Sequence, residues 1–176
     1  GPKERPEGLK LIKATPDMED AYLSFVSEWE EAGEDITPYA VRPFGRTYSQ
    51  WLADTIAAET VAPEGYVTMS SYFLIDDGGE IIGAANIRHR LNAHILRHSG
   101  HIGYGVRPSR RRQGYASAML TMALPIARGL GIDRVLVTCD KQNIGSAKTI
   151  IKNGGVLENE MEEEGNRILQ RYWIDL

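Results

Sequence analysis

Apolar positions in this chain follow two rhythms, one of three to four residues and one of two, and the switches between them lay out its elements. Leu9-Lys-Leu-Ile-Lys13 reads as a short first strand. Thr15 stands where a helix N-cap belongs, with Pro16 at the first helical position. Met18, Ala21, Tyr22, Phe25, Val26 and Trp29 then recur at helical spacing, predicting an amphipathic helix to about Ala32, stopped by Gly33. Residues 36–46 hold Pro38, Pro43 and Gly45 and read as a loop. A second helix is expected from Ser49 to about Thr60, with Trp51, Leu52 and Ile56 inward, closed by Pro63-Glu-Gly65.

From there the rhythm shortens. Ser70 to Ile75 is β-rich, Asp76-Asp-Gly-Gly79 is a tight-turn signal, and Glu80 to Arg88 returns as a strand. Leu91 to Arg97 predicts a short helical turn, and His101-Ile-Gly-Tyr-Gly-Val106 another strand. Ala116 to Leu130 predicts a helix with Met119, Leu120, Ala123, Leu124 and Ala127 on one face, ended by Gly129-Leu-Gly131. Pro125 should kink it. A strand at 134–139, a helix at 146–153 and an antiparallel pair, 156–161 and 167–174, around Glu162-Glu-Glu-Gly-Asn166 complete the chain. The order β-α-α-β-β-β-α-β-α-β-β is that of a mixed α+β fold with helices on both faces of its sheet.

Composition narrows the function classes. The 176 residues suit one domain, 9–176, and 42% apolar with 25% charged residues is ordinary for a soluble globular protein. Gly1-Pro2 reads as a protease-cleavage scar, so 1–8 are set apart as a tag remnant and disordered N-terminus. A net charge of −4 argues against nucleic acid as a partner. Cys139, the single cysteine, fits a reducing cytoplasm, and no apolar run approaches the roughly 20 residues that span a bilayer. The expected location is therefore cytoplasmic, with no membrane partner.

The densest chemistry lies in Val106-Arg-Pro-Ser-Arg-Arg-Arg-Gln-Gly-Tyr-Ala-Ser117, between a predicted strand and a predicted helix. Such a junction aims unpaired backbone N–H groups and the positive end of a helix dipole at one spot. Phosphates bind there, and Gly114 lets the backbone approach closely. A solvated basic patch or a nucleic-acid footprint is the competing reading of Arg110, Arg111 and Arg112.

Arg111-Arg-Gln-Gly-Tyr-Ala116 resembles the Arg/Gln-x-x-Gly-x-Gly/Ala signature of the GNAT superfamily of N-acetyltransferases. Val135-Leu-Val-Thr-Cys-Asp140 resembles that family's fifth strand, and 143–155 its Asn-x-x-Ala segment. The resemblance is clearest from His101 to Gly155. It implies a GNAT-like fold with a central, mostly antiparallel twisted sheet of about seven strands. It implies acetyl-CoA as cosubstrate, acetyl transfer to a primary amine of a small molecule or peptide, and allows a homodimer. The implied cofactor-binding residues are Gly105, Val106, Arg111, Arg112, Gln113, Gly114, Tyr115, Ala116, Asn143 and Ser146. The N–H of Val106 or a neighbour would serve as the oxyanion donor, with the pyrophosphate on 111–116. Asn143 reads equally well as a turn residue.

Proton-transfer groups are harder to place. Many family members carry a Tyr seven residues after the Asn, where this chain has Ile150, and Gly155 replaces the usual Phe. Tyr104 and Ser146 are the substitute candidates for the acid. His101 is the candidate base, since an imidazole titrates near neutrality. Core packing of Tyr104 and a strand role for His101 are the alternatives. His89, His94 and His98 match no metal-ligand spacing, so no metal is expected. Cys139 reads as a buried strand residue rather than a nucleophile.

The acceptor signals conflict. Glu28, Glu30, Glu31, Glu34 and Asp35 with the 160–164 acids suggest a cationic amine, whereas Arg88, His89 and Arg90 suit a substrate carboxylate. The missing Tyr also leaves a catalytically silent acyl-CoA-binding sensor as the alternative to an enzyme.

Overall fold

The computed structural model describes residues 8–176; the expectation for the first residues lies outside that range except at Gly8. Strand β1 (Lys10–Ile12) is followed by a 3-10 turn at Pro16–Met18 and helix α1 (Glu19–Glu31). Thr15 precedes the turn without capping it through its side chain. Helix α2 (Tyr48–Ala57) starts on a capping box the hydrophobic pattern did not announce. Thr47 accepts from the Gln50 N–H, and Gln50 accepts from the Thr47 N–H. Strands β2 (Met69–Ile75) and β3 (Ile81–Arg88) form the expected hairpin, and α3 (Ala93–His98) is capped by Asn92. Then come β4 (Ile102–Val106), α4 (Tyr115–Gly129), β5 (Arg134–Asp140), α5 (Ile144–Lys152), β6 (Val156–Glu163) and β7 (Arg167–Asp175). Helix α4 continues through Pro125.

All the strand ladders are antiparallel, but they make two sheets rather than one, in the orders β1-β2-β3-β4 and β5-β7-β6. A single bridge between Gly100 and Val137 connects them. Beyond it, β4 pairs only with β3 and β5 only with β7.

Each face of the first sheet buries a different helix layer. Phe73 and Ala84 pack with α1 and α2, where Trp51 stacks between Tyr22 (4.8 Å) and Phe73 (5.6 Å). Leu74, Ile82, Ala85 and Val106 face α4 through Met119, and Ile87 and Ile102 face it through Leu120. Fully burying side chains of this size stabilises by about 1.5–3 kcal/mol each. Trp51 and Leu52 point inward as expected, together with Tyr48, but Ile56, one turn further on near the end of α2, is 57% exposed. The acidic turn is shorter than expected: Glu162 and Glu163 belong to β6, paired with Ile168 and Arg167.

Candidate active site

The edge of β4 that faces away from β3 is the starting point. Antiparallel pairing alternates residues that exchange hydrogen bonds with residues that do not. Arg88 N–H donates to the His101 carbonyl at 2.7 Å, and Arg107 N–H to the Ile82 carbonyl at 2.9 Å. With Ala84 opposite Gly105 and Ala85 opposite Tyr104, this phase spends Gly103 and Gly105 on β3. The backbone groups of Tyr104 and Val106 point the other way, into the gap before β5. The Val106 carbonyl confirms the phase, accepting from Arg111 Nε at 3.2 Å.

Gly105 therefore contributes by what it lacks. A Cβ there would lie 2.4 Å from the Thr37 carbonyl oxygen, so the loop between α1 and α2 rests directly on β4. At Gly103, Pro38 and the Arg88 guanidinium make the same close approach, at 3.4 and 3.3 Å.

The turn after β4 delivers the chain to α4. Arg112 (φ 63°) and Gly114 (φ 84°) both take left-handed conformations, and no side chain caps the helix. The first N–H groups of α4, from Tyr115 and Ala116 onward, are thus left for an anion. Nothing lies within 4 Å of where a Gly114 Cβ would be, so the approach is open. Tyr115 and Ala116 pack their side chains on the core beside Met119. Gln113 Nε2 reaches the Ser109 carbonyl at 3.4 Å, which steadies the turn.

The arginines divide into structural and free. Arg107 is buried, bonded to Glu28 (2.7 Å) and Glu80 (3.0 Å). Arg110 pairs with Glu80 at 2.7 Å. Arg111, one of the two arginines expected to pair with phosphate, forks onto Glu34 at 3.0 Å and lies over the Trp29 ring at 5.0 Å. It clasps the turn to α1. Arg112 alone of this run has no ion pair among the described residues, and it is exposed.

On the far side of the gap, Asn143 caps α5, its Oδ1 accepting from Ser146 N–H at 3.1 Å. In sequence Asn143 suits a turn or a ligand contact equally; in the structure the cap uses Oδ1 and the residue stays exposed. Ser146 and Tyr104 are brought together. Burial and the neighbouring Cys139 push the Tyr104 phenol up to about 12, against a smaller opposing pull from its hydrogen bond with Ser146. Cys139 itself is buried and its thiol is pushed up by burial, as expected of an inert strand cysteine. Ile150, at the family's Tyr position, is completely buried in the core.

His101 lies apart from this chemistry. It is 6% exposed and its Nδ1 accepts from Leu136 N–H at 2.9 Å, while its own N–H donates to the Leu136 carbonyl at 2.8 Å. Burial, then the Arg88 charge, hold its pKa down to about 4. An imidazole whose Nδ1 accepts carries its proton on Nε2 and has no lone pair left to take another. His101 is a staple between the two sheets. No group of three or more His, Cys, Asp or Glu among the described residues is placed to hold a metal ion.

On the opposite face of the sheet, a cavity of about 740 Å³ lies between the α1–α2 loop, α2 and α3. Its floor is Met69, Ser71, Asn86 and Arg88, on the face that carries Gly103 and Gly105. No sequence motif marked it, because its residues come from five separate segments. Of its lining residues, Arg88 is a sequence-level candidate for binding a substrate carboxylate, and His94 belongs to the histidines that match no metal-ligand spacing.

An open strand edge leading from an uncapped helix N-terminus, with a cavity across the sheet, is a layout suited to group transfer between two ligands. The acetyltransferase (GNAT) domain model matches residues 9–156, and the chain belongs to that family, whose members use acetyl-CoA. It is an acyltransferase. RimL, a ribosomal L7/L12 alpha-N-protein acetyltransferase solved with coenzyme A, is similar at 18% identity and TM-score 0.70, over 97% of this chain and 95% of that one. A dodecameric spermidine N-acetyltransferase from Vibrio cholerae is similar at 13% and 0.68, over 95% and 93%. A GNAT-family acetyltransferase from Streptococcus pneumoniae stands at 18% and 0.65, over 96% and 99%. Among curated protein sequences none matches. No helix among the described residues is long and apolar enough to cross a membrane.

Proposed function

We propose that this acetyltransferase moves the acetyl group directly from acetyl-CoA to the primary amine of a small molecule or peptide. The observation that carries the reading is the free edge of β4, with the Tyr104 and Val106 N–H groups aimed into a gap that begins at the bare N-terminus of α4. The first N–H groups of α4 and Arg112 hold the pyrophosphate, with Gly114 giving access. The edge of β4 pairs with the pantetheine arm as a strand would, and Asn143 Nδ2 offers it a donor from across the gap. Acetyl-CoA supplies a thioester: the acceptor nitrogen bonds to its carbonyl carbon, the C–S bond breaks, one proton leaves nitrogen and one reaches sulfur.

The residues of this chain serve that exchange at two atoms. A β4 N–H stabilises charge on the carbonyl oxygen, and its fixed backbone needs no reorganisation to do so. The Tyr104 hydroxyl, kept protonated by burial and close to Ser146, donates to the departing sulfur. His101 has no part as a base; the acceptor enters as the free amine or loses its proton to water.

Thiol release from acetyl-CoA across a panel of primary amines tests the reading. Y104F should lower kcat about 100-fold or more while the acetyl-CoA KM stays within about threefold. Undiminished kcat in Y104F would remove Tyr104 from the reaction. Failure of acetyl-CoA to raise the melting temperature would remove the donor site itself.

A further inference from the structure

The floor of the cavity between the α1–α2 loop, α2 and α3 carries an unbalanced charge. Arg88 projects from β3 with its Nη1 bonded only to the backbone carbonyls of Gly100 (2.9 Å) and Ser99 (3.5 Å). No carboxylate pairs with it among the described residues, and burial lowers its pKa. The cavity's one acidic residue, Asp54, is taken by Arg46 at 3.0 Å. Elsewhere on this sheet buried arginine is heavily compensated, Arg107 by Glu28 and Glu80. A half-buried guanidinium left with carbonyls alone is suited to an anion that arrives from outside.

Two residues along the same face, Asn86 is 1% exposed. Its Nδ2 donates to Ser71 Oγ at 3.1 Å, but its Oδ1 has no partner. Buried polar atoms are nearly always paired, so an orphaned acceptor in the floor of a cavity calls for a donor. Asn86 lies opposite Gly103 of β4, and Arg88 is one step further from the Val106 end. Donor-seeking and anion-seeking groups thus sit side by side, the former nearer the strand edge that leads to the thioester. The mouth is apolar: Tyr39 and Phe44 pack together at 5.1 Å, and with Val61 they stay largely exposed.

We infer that the acceptor is a primary amine that also carries a carboxylate on an apolar body, with Arg88 pairing the carboxylate and Asn86 accepting from an N–H near the reacting nitrogen. The inference rests on the acetyl-transfer reading above and names its substrate class. It also decides between the two acceptor signals of the sequence. Glu28 and Glu34 are spent on Arg107 and Arg111, His89 is spent on Ser70 and Thr68, and Arg90 is exposed, which leaves Arg88 facing the cavity.

Matched acceptors provide the test: leucine and phenylalanine against isoamylamine and phenethylamine, and against the two carboxamides. Thiol release and thermal shift would be measured on protein loaded with acetyl-CoA. The wild type should favour the carboxylated members by roughly 10- to 100-fold in kcat/KM. R88M should reduce that preference to within about threefold, whereas R88K, which keeps the charge, should retain most of it. Acetyl-CoA should raise the melting temperature of all three proteins alike, which shows that the donor site survives. Equal turnover of charged and uncharged acceptors by the wild type, or an undiminished preference in R88M, would overturn the inference while leaving acetyl transfer intact. Carboxylated amines that are neither turned over nor stabilising on the loaded protein would overturn it too. Loss of the acetyl-CoA shift in the wild type would instead strike the underlying reading.

Discussion

Arg111 and Arg112 are neighbours of one residue type, yet their surroundings give them separate work. Arg111 contributes a forked bond to Glu34 and a face on Trp29; Arg112 sits at φ 63° with its charge uncommitted. R112Q should therefore weaken acetyl-CoA binding about tenfold, read by calorimetry, with little change in melting temperature. R111Q should do the reverse. Its half-exposed ion pair is worth no more than about 1 kcal/mol, so the melting temperature falls by only a few degrees while affinity changes less than in R112Q. The signature of the turn was legible in the sequence because spacing and glycine placement are local properties. Which arginine keeps its charge uncommitted was not, because Glu34, remote in sequence and near in space, takes Arg111.

Among elements, β4 is the one whose three roles share five residues. Its odd-numbered glycines admit the α1–α2 loop, Tyr104 and Val106 keep their backbone free, and Ile102 fills the core beside α4. G105A should push Thr37 off the strand and cost about 1–3 kcal/mol, seen as a lowered melting temperature, with acceptor KM disturbed more than acetyl-CoA affinity. Most of the elements were predictable within a residue or two, since apolar spacing sets them. The capping box of α2 lies in two polar residues, Thr47 and Gln50, which apolar spacing does not mark. The cavity was illegible for a different reason: Ser71, Asn86 and Arg88 share a face only once strand register is known.

In the whole molecule, the two sheets share one apolar core, and among the described residues a single backbone bridge and the His101 ring link their strands. Apolar spacing alone is silent on that split, because seven strands in the observed order are compatible with one continuous sheet; only the family resemblance implies a fourth strand splayed from the fifth. His101 makes the seam sensitive to acid. Its folded pKa of about 4 lies below the ordinary value of 6.5, so above pH 6.5 both folded and unfolded chains hold it neutral and no stability is lost. As pH falls below 6.5 the unfolded chain takes up a proton that the folded chain refuses, and stability drops until about pH 4. The melting temperature should follow that window. H101L should flatten the pH dependence, at a cost of about 1–3 kcal/mol at neutral pH from the orphaned Leu136 N–H.

The unshared edge of β4 has a consequence for how the protein exchanges hydrogen with solvent. Along one short strand, the amides of Gly103 and Gly105 are tied to β3, while those of Tyr104 and Val106 face the gap. Deuterium should enter this strand in an every-other-residue pattern, fast at Tyr104 and Val106 and slow at the two glycines. Addition of acetyl-CoA should erase the alternation, slowing the fast pair and leaving the slow pair unchanged, as though the ligand had been spliced into the sheet as its missing strand.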